Sequence, residues 1–224
     1  MTNITHNVWR ILDNDPSIRR ELQRGLINTS ALARYLIKER KIDATLDAII
    51  NAIRRYHHPD QYDDIFAKAA KTLSQAVNIS TKSNLAEISL IKDTDIQKAL
   101  ADVFKIISYI QGDTLRIMQA NNSIRLLIDE KNMERVLTLL PKNKIISKEM
   151  NLTEINIYIH PLMQKTPGIL AVISNELSIN GINIVEVMTC PPEMLFIVKK
   201  EDFQKASEVI LELCQPMKQY RSQP

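Results

Sequence analysis

The chain has 224 residues, of which 45% are hydrophobic and 25% are charged, and its formal net charge is +3. This composition is typical of a soluble globular protein. No apolar run approaches the roughly 20 residues of a transmembrane helix, so we expect no membrane association. Residues 1–6 lack a basic segment and an apolar segment, which predicts no signal peptide. Cys190 and Cys214 show no metal-ligand spacing, and two such cysteines favour a cytoplasmic protein.

The positive charge is concentrated in the first quarter of the chain. Residues 1–58 contain 10 Lys and Arg against 6 Asp and Glu, whereas the remaining residues are slightly acidic. The same quarter has a purely helical pattern, with helices predicted over His6–Asp13, Pro16–Leu22, Thr29–Arg40 and Asp43–His57. Asp15 before Pro16 is a helix start, and Ser30 and Asp43 are the predicted N-caps. The run His57–Asp60 ends the last helix, so we place a helical domain at 1–60.

Two segments of this domain, Asn28–Ile37 and Asp43–Tyr56, resemble a helix-turn-helix. Ala33 is small, as a close helix crossing requires, and an apolar stripe follows helical spacing: Leu32, Leu36, Leu46, Ile49, Ile50 and Ile53. The resemblance implies that this domain binds duplex DNA. Asn and Arg read base edges and Arg also holds phosphate. The predicted DNA contacts are Ser30, Arg34, Thr45, Asn51, Arg54 and Arg55.

A packing or dimerisation domain with a solvated charged face is the alternative for residues 1–60. The turn at Glu39–Ile42 lacks glycine, and Asp47 on the presumed reading face would repel phosphate. Residues 61–83 follow as a connecting segment. In it we predict a helix over Tyr62–Ala76 and an extended stretch over Val77–Thr81.

The rest of the chain contains a repeat. Residues 110–118 parallel residues 179–187 at an offset of 69, and residues 124–136 parallel residues 194–206 at an offset of 70. Leu85–Ile91 is the predicted leading strand of the first copy, and we place that copy at 84–150. Lys98 and Ala99 stand roughly where the second copy has Pro167 and Gly168, so the first copy has lost this loop motif.

The second copy, 151–214, has the clearer pattern. An alternating strand over Thr153–His160 is followed by a Pro-Gly loop and an apolar helix that ends at Asn180-Gly181. Strands and a final helix, Glu201–Leu213, complete the order strand, helix, strand, strand, helix. Gly168 lets backbone approach a ligand, Pro167 suits the first turn of a helix, and the free N–H groups of that turn favour a carboxylate.

This order resembles the ACT domain, a small module that binds amino acids or similar metabolites and regulates the protein to which it is attached. The resemblance covers residues 152–214, and its most specific marks are Pro167–Ala171 and Gly181–Ile184. It implies an α+β chain with two ferredoxin-like βαββαβ units in tandem, the first degenerate, and a tail at 215–224. It also implies a homodimer or a higher homo-oligomer.

The resemblance further implies a ligand at the seam between two such units. The implied ligand-binding residues are Gln164, Lys165, Thr166, Pro167, Gly168 and Ile169 in the loop, with Asn183 and Ile184 from the partner unit. Lys165 stands where many members have an acidic or neutral residue, which favours an anionic ligand. His160 borders the loop and reads as a surface residue.

Enzymatic activity finds no support in the sequence. There is no phosphate-binding Gly-rich loop, no HExxH and no nucleophile elbow, so we predict no catalytic residue, no metal and no cofactor. We therefore expect a metabolite-responsive transcriptional regulator that binds DNA through its N-terminal helices and an amino acid through its ACT-like units. The alternative is a regulatory or assembly subunit that binds no DNA and docks on an amino-acid biosynthetic enzyme.

Overall fold

A computed structural model describes residues 4–56, 61–76 and 78–215, and it divides the chain into an N-terminal unit, 1–67, and a C-terminal unit, 68–224. The helices are α1 Ile4–Asp13, α2 Pro16–Gln23, α3 Thr29–Arg40, α4 Leu46–Arg54, α5 Gln61–Leu73, α6 Thr94–Ile106, α7 Met133–Leu139, α8 Pro161–Gln164, α9 Ile169–Ile179 and α10 Phe203–Cys214. The strands are β1 Asn78–Ile91, β2 Leu115–Gln119, β3 Ser123–Asp129, β4 Ile145–Tyr158, β5 Ile184–Cys190 and β6 Glu193–Lys199.

Three sequence predictions fall outside the described residues: the boundary at 57–60, Val77, and the tail from 216 onward. Among the helices that are described, none is long and apolar enough to cross a membrane.

The N-terminal unit is built around α4, against which α1 and α3 both pack. Its core contains the predicted stripe, with Leu32, Leu36, Ile49 and Ile53 buried, and the Trp9 indole N–H donates to the Ala52 carbonyl at 2.9 Å. The stripe is therefore a packing surface.

The two predicted N-caps of this unit are wrong. The Asn28 side chain caps α3 by accepting bonds from the N–H groups of Ser30 and Ala31, both at 3.0 Å. Thr45 caps α4, because its hydroxyl accepts from the Ala48 N–H at 3.3 Å. In each case the residue that caps the helix lies two residues away from the predicted cap and has extended backbone just before the helix, which is the geometry that a cap needs.

The C-terminal unit is organised on one six-stranded antiparallel sheet with the order β2-β3-β1-β4-β6-β5. Its two central strands, β1 and β4, have 14 residues each and lie side by side. The second half of β1, from Leu85 to Ile91, pairs with β3, whereas its first half, from Asn78 to Lys82, pairs with the second half of β4. Each long strand therefore belongs to both repeats.

This arrangement completes both repeats by an exchange of strands. The first repeat takes its fourth strand from the first half of β4, and the second repeat takes its fourth strand from residues 78–82. These residues lie in the predicted connecting segment, where the sequence indicated an extended stretch over Val77–Thr81 but not its pairing in the sheet. They carry Ser80, Thr81 and Lys82, so the segment lacks the apolar pattern by which a buried strand is recognised.

Helices cover one face of the sheet. In the first repeat, α6 and α7 bury Ile88, Leu90, Ile96, Val103 and Val136. In the second repeat α9 packs against α10, and Ile155, Ile173, Leu177, Phe196 and Ile210 are fully buried.

The opposite face of the sheet is also buried, and among the described residues its hydrophobic cluster contains no helical side chain. Leu85, Leu127, Leu152 and Ile197 form a fully buried cluster there. In a flat sheet, β3 and β5 would lie roughly 19 Å apart, since neighbouring strands are about 4.8 Å apart. However, Arg125 of β3 contacts Glu186 of β5 at 2.6 Å. The sheet is therefore strongly curled, and it closes its helix-free face upon itself.

Candidate effector-binding cavity

The two repeats differ most in the loop between their first strand and first helix. In the first repeat only Lys92 and Asp93 separate β1 from α6, whereas in the second repeat residues 159–168, including α8, separate β4 from α9. The longer loop is tied down at its start, because the Ile159 N–H donates to the Pro192 carbonyl at 2.7 Å. The Met163 N–H donates to the His160 carbonyl at 2.8 Å and closes the turn of α8.

This loop encloses a cavity of about 280 Å³ against the far end of β5 and the start of β6. Its lining residues are Ile159, Met163, Gln164, Thr166, Gly168, Ile169, Leu170, Thr189, Pro191 and Met194. The volume is close to the lower end of the range for small-molecule sites, which suits a ligand the size of a free amino acid.

Gly168 gives the cavity its most useful polar feature. It is the N-cap of α9 and has a left-handed backbone, with φ of 90°, which favours glycine. A glycine has no side chain with which to cap the first N–H groups of the helix, and those groups prefer an anion. An α-carboxylate placed here would receive these donors.

In the first repeat, the corresponding helix start has a side-chain cap. Asp93 is the N-cap of α6 and accepts a bond from the Ile96 N–H at 2.9 Å. A hydrogen bond from Lys144, together with this backbone bond, lowers the pKa of Asp93 below its usual value. The carboxylate that a ligand would supply in the second repeat is thus part of the chain in the first.

Four of the loop residues that the resemblance implied line the cavity: Gln164, Thr166, Gly168 and Ile169. Lys165 and Pro167 are exposed in the same loop and are not among the lining residues. Pro167 also lies outside the helix, because α9 begins at Ile169, so the prediction that it occupies the first helical turn is wrong.

Asn183 and Ile184 lie elsewhere in the same chain. Ile184 begins β5, whereas the cavity touches Thr189 near the end of that strand, five residues or roughly 17 Å further on. β5 is an outer strand of the sheet, so both residues are at an edge, and they do not join the loop within one chain.

The alignment of Lys98 and Ala99 with Pro167 and Gly168 is wrong. Both residues lie inside α6, and the position that corresponds to Gly168 is Asp93. The constant offset failed here because the loop of the second repeat is longer. Sequence reasoning also missed six lining residues: Ile159, Met163, Leu170, Thr189, Pro191 and Met194. The Pro191-Pro192 turn signal was visible, but its position beside the loop depends on the sheet pairing.

A larger hollow of about 660 Å³ lies in the first repeat. It is lined by Glu134, Leu137, Thr138, Lys142, Ile145, Ile146, Ser147 and Lys148, and it follows the outside of α7 and the first half of β4. Ile146 and Lys148 are exposed there. We favour the smaller cavity as a ligand site, because four of its lining residues are buried and it lies at an uncapped helix start, whereas none of the residues lining the larger hollow is buried.

The structure places the predicted DNA contacts on the N-terminal unit as follows. Arg34 on α3, and Asn51, Arg54 and Arg55 at the end of α4, are exposed, while Ser30 is half-buried in the first turn of α3. The Thr45 hydroxyl is engaged as the N-cap of α4. DNA binding by these residues stays a prediction.

No protein-family profile and no curated protein matches the chain in sequence. Solved structures do match it. The aspartokinase alpha and beta subunits match with a TM-score of 0.51 and 16% identity, over 62% of this chain and 97% of that chain. The regulatory subunit of aspartate kinase from Thermus thermophilus, in its ligand-free form, matches with a TM-score of 0.50 and 14% identity, over 62% and 98%.

The aspartate kinase of Clostridium acetobutylicum, described as an allosteric enzyme, matches with a TM-score of 0.52 and 20% identity. Here the match covers 63% of this chain but only 35% of the enzyme. Identities this low show the fold alone. The prediction of ACT-like α+β units is confirmed as a fold, whereas the comparisons give no support to a helix-turn-helix or to DNA binding. Most of this chain is therefore similar in fold to the regulatory subunits of aspartate kinase.

Proposed function

We propose that this protein is an amino-acid-responsive regulatory subunit with no catalytic centre of its own. Its effector binds in the cavity of the second repeat, with the α-carboxylate at the start of α9. The observation that carries the proposal is the contrast between the two helix starts: Gly168 leaves the N–H groups of α9 without a side-chain cap, whereas Asp93 caps α6.

The structural relatives favour docking on an enzyme over binding to DNA. They are regulatory subunits of aspartate kinase and an allosteric kinase, so their fold serves the control of an enzyme. In our proposal the partner of this chain is likewise an enzyme of amino-acid biosynthesis. The N-terminal unit, which exposes Arg34, Arg54 and Arg55, provides the docking surface.

The sheet also supports assembly into a homodimer. Among the described residues, its outer strands, β2 and β5, each have an edge without a neighbouring strand. Such edges invite pairing with another chain. Pairing through β5 would bring Asn183 and Ile184 of one copy to its partner, as the ACT resemblance implies. We propose that this assembly uses the C-terminal unit and is independent of residues 1–58.

The proposal is tested by melting the purified full chain in the presence of each of the twenty amino acids. A ligand at a hundredfold excess over its Kd stabilises the native state by about 2.7 kcal/mol, so a binder is easily detected. Gly168→Val should abolish the shift. Gly181→Val is the matched control: it places the same side chain at a left-handed glycine at the other end of α9, with open space around it.

Each outcome is informative. A full shift in Gly168→Val would place the site elsewhere, and no shift with any amino acid would contradict the regulatory proposal. Titration with duplex DNA tests the other reading. Salt-sensitive binding that disappears in the Arg54→Ala, Arg55→Ala double variant would restore the transcriptional regulator.

A further inference from the structure

We infer that the effector is an amino acid with an uncharged, apolar side chain, and that each chain binds one molecule. This inference rests on the proposed function and names the ligand class of the same cavity.

The lining of the cavity selects against charge. Six of its ten residues are apolar, namely Ile159, Met163, Ile169, Leu170, Pro191 and Met194. The polar ones are Gln164, Thr166 and Thr189, all neutral, along with the backbone at Gly168. A charged side chain that packs against the buried residues of this lining would lose hydration without meeting an opposite charge there, which is unfavourable.

The buried part of the lining is apolar. Ile159 and Met163 are each 2% exposed, and Ile169 and Met194 are also buried, so these residues form a fixed wall. Leu170 is 43% exposed at the first turn of α9, next to the proposed carboxylate position. A side chain that leaves the α-carbon there contacts the wall and covers Leu170, and burial of each methylene group tightens binding about fourfold.

Lys165 does not change this conclusion. The sequence analysis took it as a sign of an anionic ligand, but it is exposed and is not among the lining residues. Its charge is therefore screened by water at the outside of the loop. A ligand carboxylate is served instead by the N–H groups of α9.

A single site per chain follows from Asp93. Its carboxylate already occupies the start of α6 and forms a 2.5 Å ion pair with Lys144. The Asp93 carboxylate would repel a ligand carboxylate placed at that helix start. The two repeats have the same architecture, but at the start of the first helix only the second repeat leaves the N–H groups open to a ligand carboxylate.

The test is calorimetric titration of the full chain with a linear series: glycine, alanine, 2-aminobutyrate, norvaline and norleucine, followed by lysine and aspartate. Affinity should rise about fourfold with each methylene up to norvaline or norleucine, with one molecule bound per chain. Lysine and aspartate should bind at least tenfold more weakly than norvaline. Tighter binding of lysine or aspartate, or two molecules per chain, would overturn the inference and leave the proposed function standing.

A variant at an exposed lining residue tests the location of the site and leaves the buried lining residues unchanged. Thr189 is exposed at the end of β5, so Thr189→Glu places a carboxylate at the cavity with little risk to the core. It should weaken norvaline at least tenfold and improve lysine, whereas Thr189→Gln, of equal size, should do neither. Equal affinities in the two variants would overturn the location. No binding of any amino acid to the native chain would overturn this inference and the proposed function together.

Discussion

Arg125 of the first repeat donates a hydrogen bond to Glu186 of the second repeat at 2.6 Å, although β3 and β5 stand four places apart in the sheet. A second cross-repeat pair joins Arg116 of β2 to Glu154 of β4 through two bonds, at 3.0 and 3.2 Å. Both pairs close the helix-free face over its leucine cluster. They link the repeats directly, in addition to the exchanged strands.

The Arg116–Glu154 pair should show the behaviour of a buried ion pair. The Glu154 side chain is 5% exposed and that of Arg116 is 35% exposed. Arg116→Met leaves a buried carboxylate without its partner, which should lower the free energy of unfolding by about 2–4 kcal/mol. The double variant Arg116→Met, Glu154→Leu removes that unpaired charge and should recover most of the loss. Urea unfolding of the three proteins measures both effects, and a double variant less stable than the single one would contradict the account.

Glu87 should make stability depend on pH in an unusual direction. Burial raises its pKa, and one of its carboxylate oxygens has no hydrogen-bond partner among the described residues. Because the folded pKa lies above the unfolded value, the protonated group contributes stability at low pH, and that contribution is lost as the pH rises through the folded pKa. The change in the free energy of unfolding caused by Glu87→Gln should therefore be more favourable at pH 7 than at pH 4. The exposed Glu134→Gln serves as control, and a variant that is less favourable at pH 7 than at pH 4 would refute this assignment.

Strand exchange predicts that residues 78–82 stabilise the second repeat. The N–H groups of neighbouring residues in a strand point to opposite sides, so either Ser80→Pro or Thr81→Pro must remove a bond to β4. One of the two variants should lower the free energy of unfolding by more than about 1 kcal/mol. Hydrogen exchange should quicken at residues 154–158 and stay unchanged at residues 124–128. If neither proline variant lowered the free energy of unfolding, this segment would be a linker and not a strand of the sheet.

The Tyr56–Asp13 bond should stabilise the N-terminal unit below about pH 10. The Tyr56 hydroxyl donates to Asp13 at 2.6 Å, and burial together with Asp13 raises the pKa of Tyr56 to about 12. The stability that this neutral hydroxyl contributes is fully present below pH 10 and is lost as the pH rises toward 12. Tyr56→Phe should lower the free energy of unfolding by about 1 kcal/mol at pH 7 and should weaken its fall at alkaline pH. Calorimetry at pH 7 and pH 11 measures this, and identical alkaline sensitivity in both proteins would contradict it.

Local signals in the sequence predicted much of the fold. The bounds of α3 are the predicted ones, since its apolar spacing and its basic end are both visible in the sequence. The repeat was recognised through Gly112 and Gly181, and both have left-handed backbones, with φ of 75° and 73°. These features depend on residues close together in the chain, so they can be predicted from the local sequence.

The parts that sequence reasoning missed depend on distant contacts. Residues 78–82 pair with residues 154–158; an extended stretch was predicted over Val77–Thr81, but no local pattern indicated its partner in the sheet. The curl of the sheet brings Arg116 and Arg125 into contact with carboxylates of the other repeat, which are distant in the sequence. Thr189, Pro191 and Met194 line the cavity only because β5 and β6 end beside the loop.

The central claim is that the second repeat, and not the first, binds the effector. Hydrogen-exchange mass spectrometry of the full chain with and without a stabilising amino acid tests it most directly. Our account predicts slower exchange at residues 163–171, which include the loop and the N–H groups at the start of α9, and no change at residues 92–97 at the start of α6. Protection at residues 92–97, or protection confined to residues outside both helix starts, would contradict it.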